Sequence, residues 1–533
     1  MTSFKRVGMI LLSGTAVAAL SACGADDIAS PGSGGNITIN NPAPSPSPSP
    51  SPSPSPSPTP GVTPASACPT GTTKGDTNGE TITGKTGEYL ICTLPSKITS
   101  NLELPYVKGL LYRINGRVDV GSDGGPTKTA NDTNVDLKID PGVIIYAEAG
   151  PSWLAVNRGN TLHAVGTADK PIIFTSKDNV LGITGDNSSG QWGGVVLMGR
   201  GKVTDCDTAN ATPGTTACER QTEGAADPAI YGGDDDTTSS GDLEYVQIRY
   251  SGYALHTDAE LQSLTPEAVG SDTVIDHYMS YNSSDDGAEF FGGHPHLKHY
   301  VVVGAEDDSI DSDTGTKARF QYAIVVQRQG IGDTMIEADT DNDTAGETPR
   351  QDTEISNFTF IDRSPNNSDK ASILLRGQAD YALLNGILVS PDNPCLRISD
   401  PKTLQAADAK NDEKGPPVFM SMVMQCASTK YVGSDTNGTV TADQVEKAFG
   451  SGSNNNNDSF TPSLTDTIIN GANELAVKPT DPTAYDSFFE ATDHIGAVKD
   501  GNDTWYQGWT CNSAAVDFGS SNGSCSVLPV YND

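Results

Sequence analysis

The chain is poor in positive charge. Its 33 lysines and arginines stand against 68 aspartates and glutamates, a formal net charge of -35. Such an imbalance argues against nucleic acid or an anionic lipid surface as partner, and favours solubility, cations and cationic partners. Beyond Leu20 there is no stretch near the roughly 20 apolar residues that span a bilayer. No Cys-x-x-Cys or cysteine/histidine spacing suggests zinc. A phosphate-cradling loop, a dinucleotide fingerprint and a Gly-x-Ser-x-Gly elbow are all missing. Long helical periodicity is scarce.

What is present begins at the N-terminus. Lys5 and Arg6 precede an apolar run from Val7 to Leu20, and Leu20-Ser21-Ala22-Cys23 follows. A charged start, a short apolar stretch and a small-residue site are the parts of a secretory signal. The site resembles the lipobox of bacterial lipoproteins, which implies cleavage after residue 22 and lipid on Cys23. Three acyl chains, as such proteins carry, hold firmly where one chain is marginal. Gly24 stands where the enteric sorting rule places aspartate for inner-membrane retention. The expected location is therefore the outer membrane, lipid-anchored and exposed at the cell surface. A Ser-Pro alternation from Pro44 to Pro58 follows. Proline fixes φ and keeps the preceding residue out of the helix, so this segment is expected to be a polyproline II stalk reaching roughly 70 Å. A flexible periplasmic tether is the other reading. Residues 1–22 thus read as signal peptide, 23–67 as lipidated N-terminus and stalk, and 68–533 as one folded domain.

Besides Cys23 there are eight cysteines, an even count that outside the cytoplasm reads as disulfides. Eight allow 105 pairings. Proximity in sequence suggests Cys68 with Cys92, Cys206 with Cys218, Cys395 with Cys426, and Cys511 with Cys525.

From Cys68 on, short β-rich runs alternate with Gly, Asp, Asn and Ser. Leu110–Ile114, Val195–Met198, Tyr300–Val303 and Ile355–Ile361 are examples, and together they make the chain all-β. Central runs near Tyr278, Val302 and Val325 lie 24 and 23 residues apart. A repeat of that length signals a solenoid. It suits a coil of three short strands and three turns, each strand pairing with its equivalent in the next coil. A sandwich or propeller is the competing architecture. Open ends need caps. Cys68 to about Leu104 is the expected N-terminal one, and Thr441 to Phe449, with Thr441 as N-cap, and Ala484 to Thr492 are expected C-terminal helices. Trp505 and Trp509 read as packed core, a sugar platform being the alternative. The run Asn454 to Asn457 reads as a disordered loop.

Several segments carry a specific resemblance. They are Leu137-Lys-Ile-Asp-Pro-Gly-Val143, Leu162-His-Ala-Val-Gly-Thr-Ala-Asp-Lys-Pro-Ile-Ile-Phe-Thr-Ser176, Gln191-Trp192-Gly-Gly-Val-Val-Leu197 and Leu243-Glu-Tyr-Val-Gln-Ile-Arg-Tyr250. Asp285-Asp286-Gly-Ala-Glu-Phe-Phe-Gly-Gly293, Asp307-Asp308-Ser-Ile-Asp311, Ile495-Gly-Ala-Val498 and Gly508-Trp509-Thr510 continue it. Over most of residues 80–515 the chain resembles right-handed parallel β-helix surface lipoproteins of Gram-negative bacteria, often found beside TonB-dependent receptors. The resemblance implies a single right-handed parallel β-helix with capping segments, and an envelope protein such as a TonB-dependent receptor as partner.

The most chemical feature is a set of acidic segments, Asp286-Gly-Ala-Glu289, Asp308-Ser-Ile-Asp311 and Thr334-Met-Ile-Glu337. Glu289 to Asp311 is 22 residues and Asp311 to Glu337 is 26. In a regular β-helix that places Glu289, Asp311 and Glu337 at one corner, about 4.8 Å apart, with Asp308 beside them. Asp285, Asp307, Asp313, Asp339, Asp341 and Asp343 crowd the same edge. Stacked like charges need raised pKa values or cations between them, and hard oxygen ligands on turns suit Ca²⁺. Carboxylates bonded to turn N–H groups are the alternative. Catalysis is a third reading: Asp285, Asp286, Asp307 and Asp308 could supply an acid/base pair, with His294, His296, Lys317, Arg319 or Arg376 nearby. The polygalacturonase elements Asn-Thr-Asp, Gly-His-Gly and Arg-Ile-Lys are missing. In His294-Pro-His296-Leu-Lys-His299, His294 and His296 could share a face while His299 points away. The leading expectation is a surface lipoprotein that presents a rigid face to a glycan, envelope protein or nutrient ligand. An anchored polysaccharide lyase or glycoside hydrolase is the rival.

Overall fold

A computed structural model describes residues 61–223, 229–256, 259–340, 346–365, 369–434 and 439–531. Cys23, the Ser-Pro stalk, Asp341 and Asp343 lie outside them. The described residues wind into a parallel β-helix. One ladder of strands runs in parallel from Gly87–Thr93 through Val274–Tyr281, His296–Val303, Arg319–Val326 and Asp352–Ile361 to Val423–Cys426. A second ladder of short strands runs from Lys97–Ile98 through Glu289–Phe291, Asp311–Asp313 and Ile336–Ala338 to Tyr431–Val432. Among the described residues no helix is long and apolar enough to cross a membrane.

Register does the core packing. Leu243, Ile275, Leu297, Phe320, Ile355 and Leu383 stand one above another across successive strands and are 0–2% exposed. Burying each contributes about 1.5–3 kcal/mol. In the second half of these strands the outward side chains are apolar too. Met279, Val301, Val303, Ile324 and Val326 are covered by Ile468, Ala497, Val498, Trp509 and Phe518 of the C-terminal segment. A strand buried on both faces reads as a continuous apolar run, as Tyr300–Val303 does.

The first coils carry three short strands, as the spacing suggested: Asp136–Ile139, Ile144–Ala147 and Trp153–Val156 make one, and Thr161–Val165, Ile172–Ser176 and Val195–Met198 the next. From Gly241–Arg249 to Asp380–Ser390 the first two are joined into one long bent strand. The bend is a column of non-glycine residues with left-handed backbone: Tyr245 (φ 52°), His277 (54°), His299 (51°), Tyr322 (64°), Asn357 (55°) and Asn385 (53°). Such residues cost stability unless held. Ring stacking holds the first four. Centroids are 4.1 Å apart for Tyr245 and His277, 4.1 Å for His277 and His299, and 5.1 Å for His299 and Tyr322. Side-chain amides hold the next two. Asn357 Nδ2 donates to the carbonyls of His494 and Gly496. Asn385 Nδ2 donates to Thr480 O and its Oδ1 accepts from Thr480 N, both at 2.8 Å. The bend is thus also where the C-terminal segment is pinned.

The ends are capped. At the N-terminal end Thr73–Lys74 and Thr81–Gly84 both pair antiparallel with Gly87–Thr93, the first strand of the ladder. Helix Ala442–Phe449, with Thr441 Oγ1 accepting from Gln444 N, lays Val445 and Phe449 on the last coil. The expected pairings form: Cys68–Cys92, Cys206–Cys218, Cys395–Cys426 and Cys511–Cys525. Trp509 is core, 0% exposed. Two expectations fail. Ala484 to Thr492 is not a helix: Pro482–Ala484 is a single 3-10 turn. Past it the chain is a strap, with Asp486 on Arg319 and the Glu490 backbone bonded to Gln321. Nor is Asn454 to Asn457 a disordered loop. Asn456 is 3% exposed and bonds Phe419 O, Phe449 O and Met422 N.

Asn385→Val puts a β-branched residue at a left-handed position and removes both bonds to Thr480. Urea unfolding should show a loss of about 3 kcal/mol. Asn385→Gly, which keeps the bend, should lose only about 1–2 kcal/mol.

Candidate functional site

The short-strand ladder carries the acidic row. Glu289 pairs in register with Asp311, and Asp311 with Glu337. Their neighbours Phe290, Ser312 and Ala338 are fully buried in the interior, so the carboxylates share the outward face. They lie on strands and not at a corner, a correction to the expected placement. The unequal spacings still converge because the extra residues go into turns. Past Glu337 the row continues as Leu374 and Arg397.

The turns entering these strands bring the other four. Asp286 Oδ1 accepts from the backbone N of Asp308 at 2.8 Å. Asp308 Oδ1 accepts from the backbone N and the hydroxyl of Thr334, both at 2.6 Å. Each therefore staples its turn to the next coil. Asp285 is buried and Asp307 exposed. Gln262 Nε2 donates to Glu289 Oε2 at 2.5 Å and reaches Asp285 Oδ2 at 3.3 Å.

Three groups result in which the ligand oxygens lie within 4.8 Å of one another: Asp285 with Asp286 and Asp307, Asp286 with Glu289 and Asp311, and Asp308 with Glu337 and Asp369. Oxygens on opposite sides of a Ca²⁺ ion are separated by twice the metal–oxygen distance of about 2.3–2.6 Å. The groups match that size. Asp369 was not singled out in the sequence, because it stands outside the repeated motif. Arg376 closes one end, on Glu337 and, at 3.0 Å, on Asp339. The other cations named from sequence are elsewhere. Lys317 pairs with Asp412, and Arg319 with Asp352 and Asp486.

Burial, and then repulsion from neighbouring carboxylates, pushes Asp285, Asp286, Glu289, Asp308 and Asp311 well above the usual carboxylate range. The same causes raise Asp307 to about 6. Burial raises Glu337 to about 7 against the opposing pull of Asp308 and Arg376. Arg376 is held up by Glu337 and Asp339 despite burial. Burial and mutual repulsion thus favour the protonated form of these carboxylates.

His294 precedes the strand that begins at His296, and both His296 and His299 meet rings of the C-terminal segment, Phe488 and Trp505, so His299 does not point away. His294 and His296 rings lie 4.8 Å apart, while His299 sits in the bend column. There Asp276 Oδ1 lies 2.6 Å from His299 Nδ1 and 2.9 Å from His277 Nδ1. These three could also hold a metal. His277 carried no local signal; only coil register brings it to His299.

A raised carboxyl pKa means that the folded chain binds more protons than the unfolded one. Stability is then greatest below the unfolded value and falls as pH rises to the folded one. In EDTA the melting midpoint should therefore decline from about pH 4.5 to about 7, the interval through which Glu337 is shifted. Glu337→Gln should flatten the upper part of that decline.

Against known families, residues 125–510 match the model of a pectate-lyase-like β-helix domain. No curated protein and no solved structure matches the chain. The matched span exceeds half of the sequence, and the chain belongs to the pectate-lyase-like β-helix domain family.

Proposed function

We propose that this protein is a surface-anchored recognition module that holds hard divalent cations, Ca²⁺ foremost, along its acidic row and through them takes up an acidic glycan. The observation that carries this is the register of Glu289, Asp311 and Glu337, with three groups of carboxylate oxygens inside 4.8 Å. An ion bound there keeps coordination positions open, since Ca²⁺ takes six to eight oxygens and each group supplies three residues. A polyuronate, the polymer in the family's name, offers the carboxylates to fill them. Asp286 and Asp308 favour recognition over catalysis. Both spend oxygens on backbone N–H groups, whereas a general acid or base must reach its substrate.

The anchor belongs to the same reading. Lipid on Cys23 would tether the chain to the outer membrane, and the Pro44 to Pro58 stalk would hold the β-helix off the cell surface. The four disulfides fit an oxidising compartment. A TonB-dependent receptor is a further partner that suits such a site.

The rival reading is a polysaccharide lyase or hydrolase, and one observation favours it: Arg376 places a fixed positive charge beside the third carboxylate group. Polyuronates incubated with the protein and calcium separate the two. Recognition predicts retention of the protein on immobilised polymer and no release of unsaturated or reducing ends. Release that Asp308→Ala abolishes would establish the enzyme instead.

Calcium titration, followed by calorimetry or by terbium luminescence, should saturate. Glu289→Gln with Asp311→Asn should weaken binding at least about tenfold, and EDTA should lower the melting temperature at neutral pH. An EDTA-insensitive melt with no saturable signal would exclude the cation site.

A further inference from the structure

Most deeply buried arginines have a carboxylate. Arg113 pairs with Glu148, Arg158 with Asp123, Arg200 with Asp132, Arg319 with Asp352 and Arg350 with Asp380. Arg249 is 2% exposed and has no carboxylate partner among the described residues. Its Nε donates to Gln247 Oε1 at 2.7 Å and its Nη1 to Cys525 O at 2.8 Å, both neutral acceptors. Nη2 has no acceptor among the described residues. A guanidinium does not shed its proton in proteins, so this charge stays. An unpaired buried charge is among the costliest features a fold can carry.

Beside it lies a cavity of about 200 Å³ between the bent sheet and the loop closed by Cys511–Cys525. Arg249, Gln247, Thr510, Ser524 and Tyr531 line it. Its wall includes Asp169, which is exposed and takes a bond from Thr167 Oγ1. A water's share of liquid volume is about 30 Å³, so the cavity has room for a small polyatomic ion and its waters.

We infer that this cavity is a binding site for a small oxyanion of the carboxylate, sulfate or phosphate class, seated on the free edge of the Arg249 guanidinium. Planar N–H groups match such anions better than they match a halide. Cys525 O accepts from both Arg249 Nη1 and Asn179 Nδ2, so an anion there neutralises the charge on which the C-terminal loop is docked. The site is separate from the acidic row and does not depend on its cations.

The test is thermal unfolding of the mature chain in EDTA, at constant ionic strength set with a bulky sulfonate buffer. Acetate, sulfate and phosphate are titrated separately, with chloride as a fourth arm. At least one oxyanion should raise the midpoint saturably by several degrees, and which one does so names the ligand class. Gln247→Glu places a carboxylate where Arg249 Nε already bonds, and should abolish the response while keeping the midpoint high without anion. Arg249→Met should abolish it as well. Isothermal titration of the wild type with the effective anion provides a readout that needs no variant. No saturable response in any arm, or an equal response in Gln247→Glu, overturns the proposal.

Discussion

Coil-to-coil parallel pairing is the constraint from which the rest follows. Backbone hydrogen bonds hold equivalent residues of successive coils about 4.8 Å apart, whatever their side chains. For Leu297, Phe320 and Ile355 that produces a stacked interior. For Tyr245, His277, His299 and Tyr322 it produces a ring stack that offsets a left-handed backbone. For Glu289, Asp311 and Glu337 the same bonds impose a proximity that the charges oppose.

That opposition gives the site its chemistry. The carboxylates cannot move apart without breaking the ladder, so their repulsion is relieved by protons or by cations. Asp286 and Asp308 add a second restraint, since each bonds a backbone N–H of the following coil. The row is thereby built into the scaffold and is not a loop that can relax. Charge compensation differs from place to place. At one end of the row Arg376 supplies it, at most buried arginines a paired carboxylate does, and beside Arg249 there is a cavity instead.

Much of this was legible in the chain. The β-rich runs, their near-constant central spacing and the acidic motif that recurs in them led to the coil and to the in-register carboxylates. Thr441 announced its helix through its own capping chemistry. Asp369 and His277 were illegible for a common reason: neither has a local pattern, and each meets its partners only when successive coils stack. The strap at 484–492 misled because it is assigned by what it packs on. Arg319 and Gln321 hold it extended, and no feature of its own residues reports them. Asn456 looked like low-complexity filler, and its amide is in fact bonded to Phe419, Phe449 and Met422.

Local composition and periodicity alone determined the class of architecture, the capped solenoid and which carboxylates share a row, because strand pairing converts a repeat in sequence directly into a column in space. They also carried the cysteine partners, each near in sequence to its own. Tertiary structure alone decided the depth of each carboxylate, its raised pKa, the path of the C-terminal segment and the isolation of Arg249. These depend on what lies across the coil or on top of it, and such neighbours are set by packing between segments from tens to hundreds of residues apart.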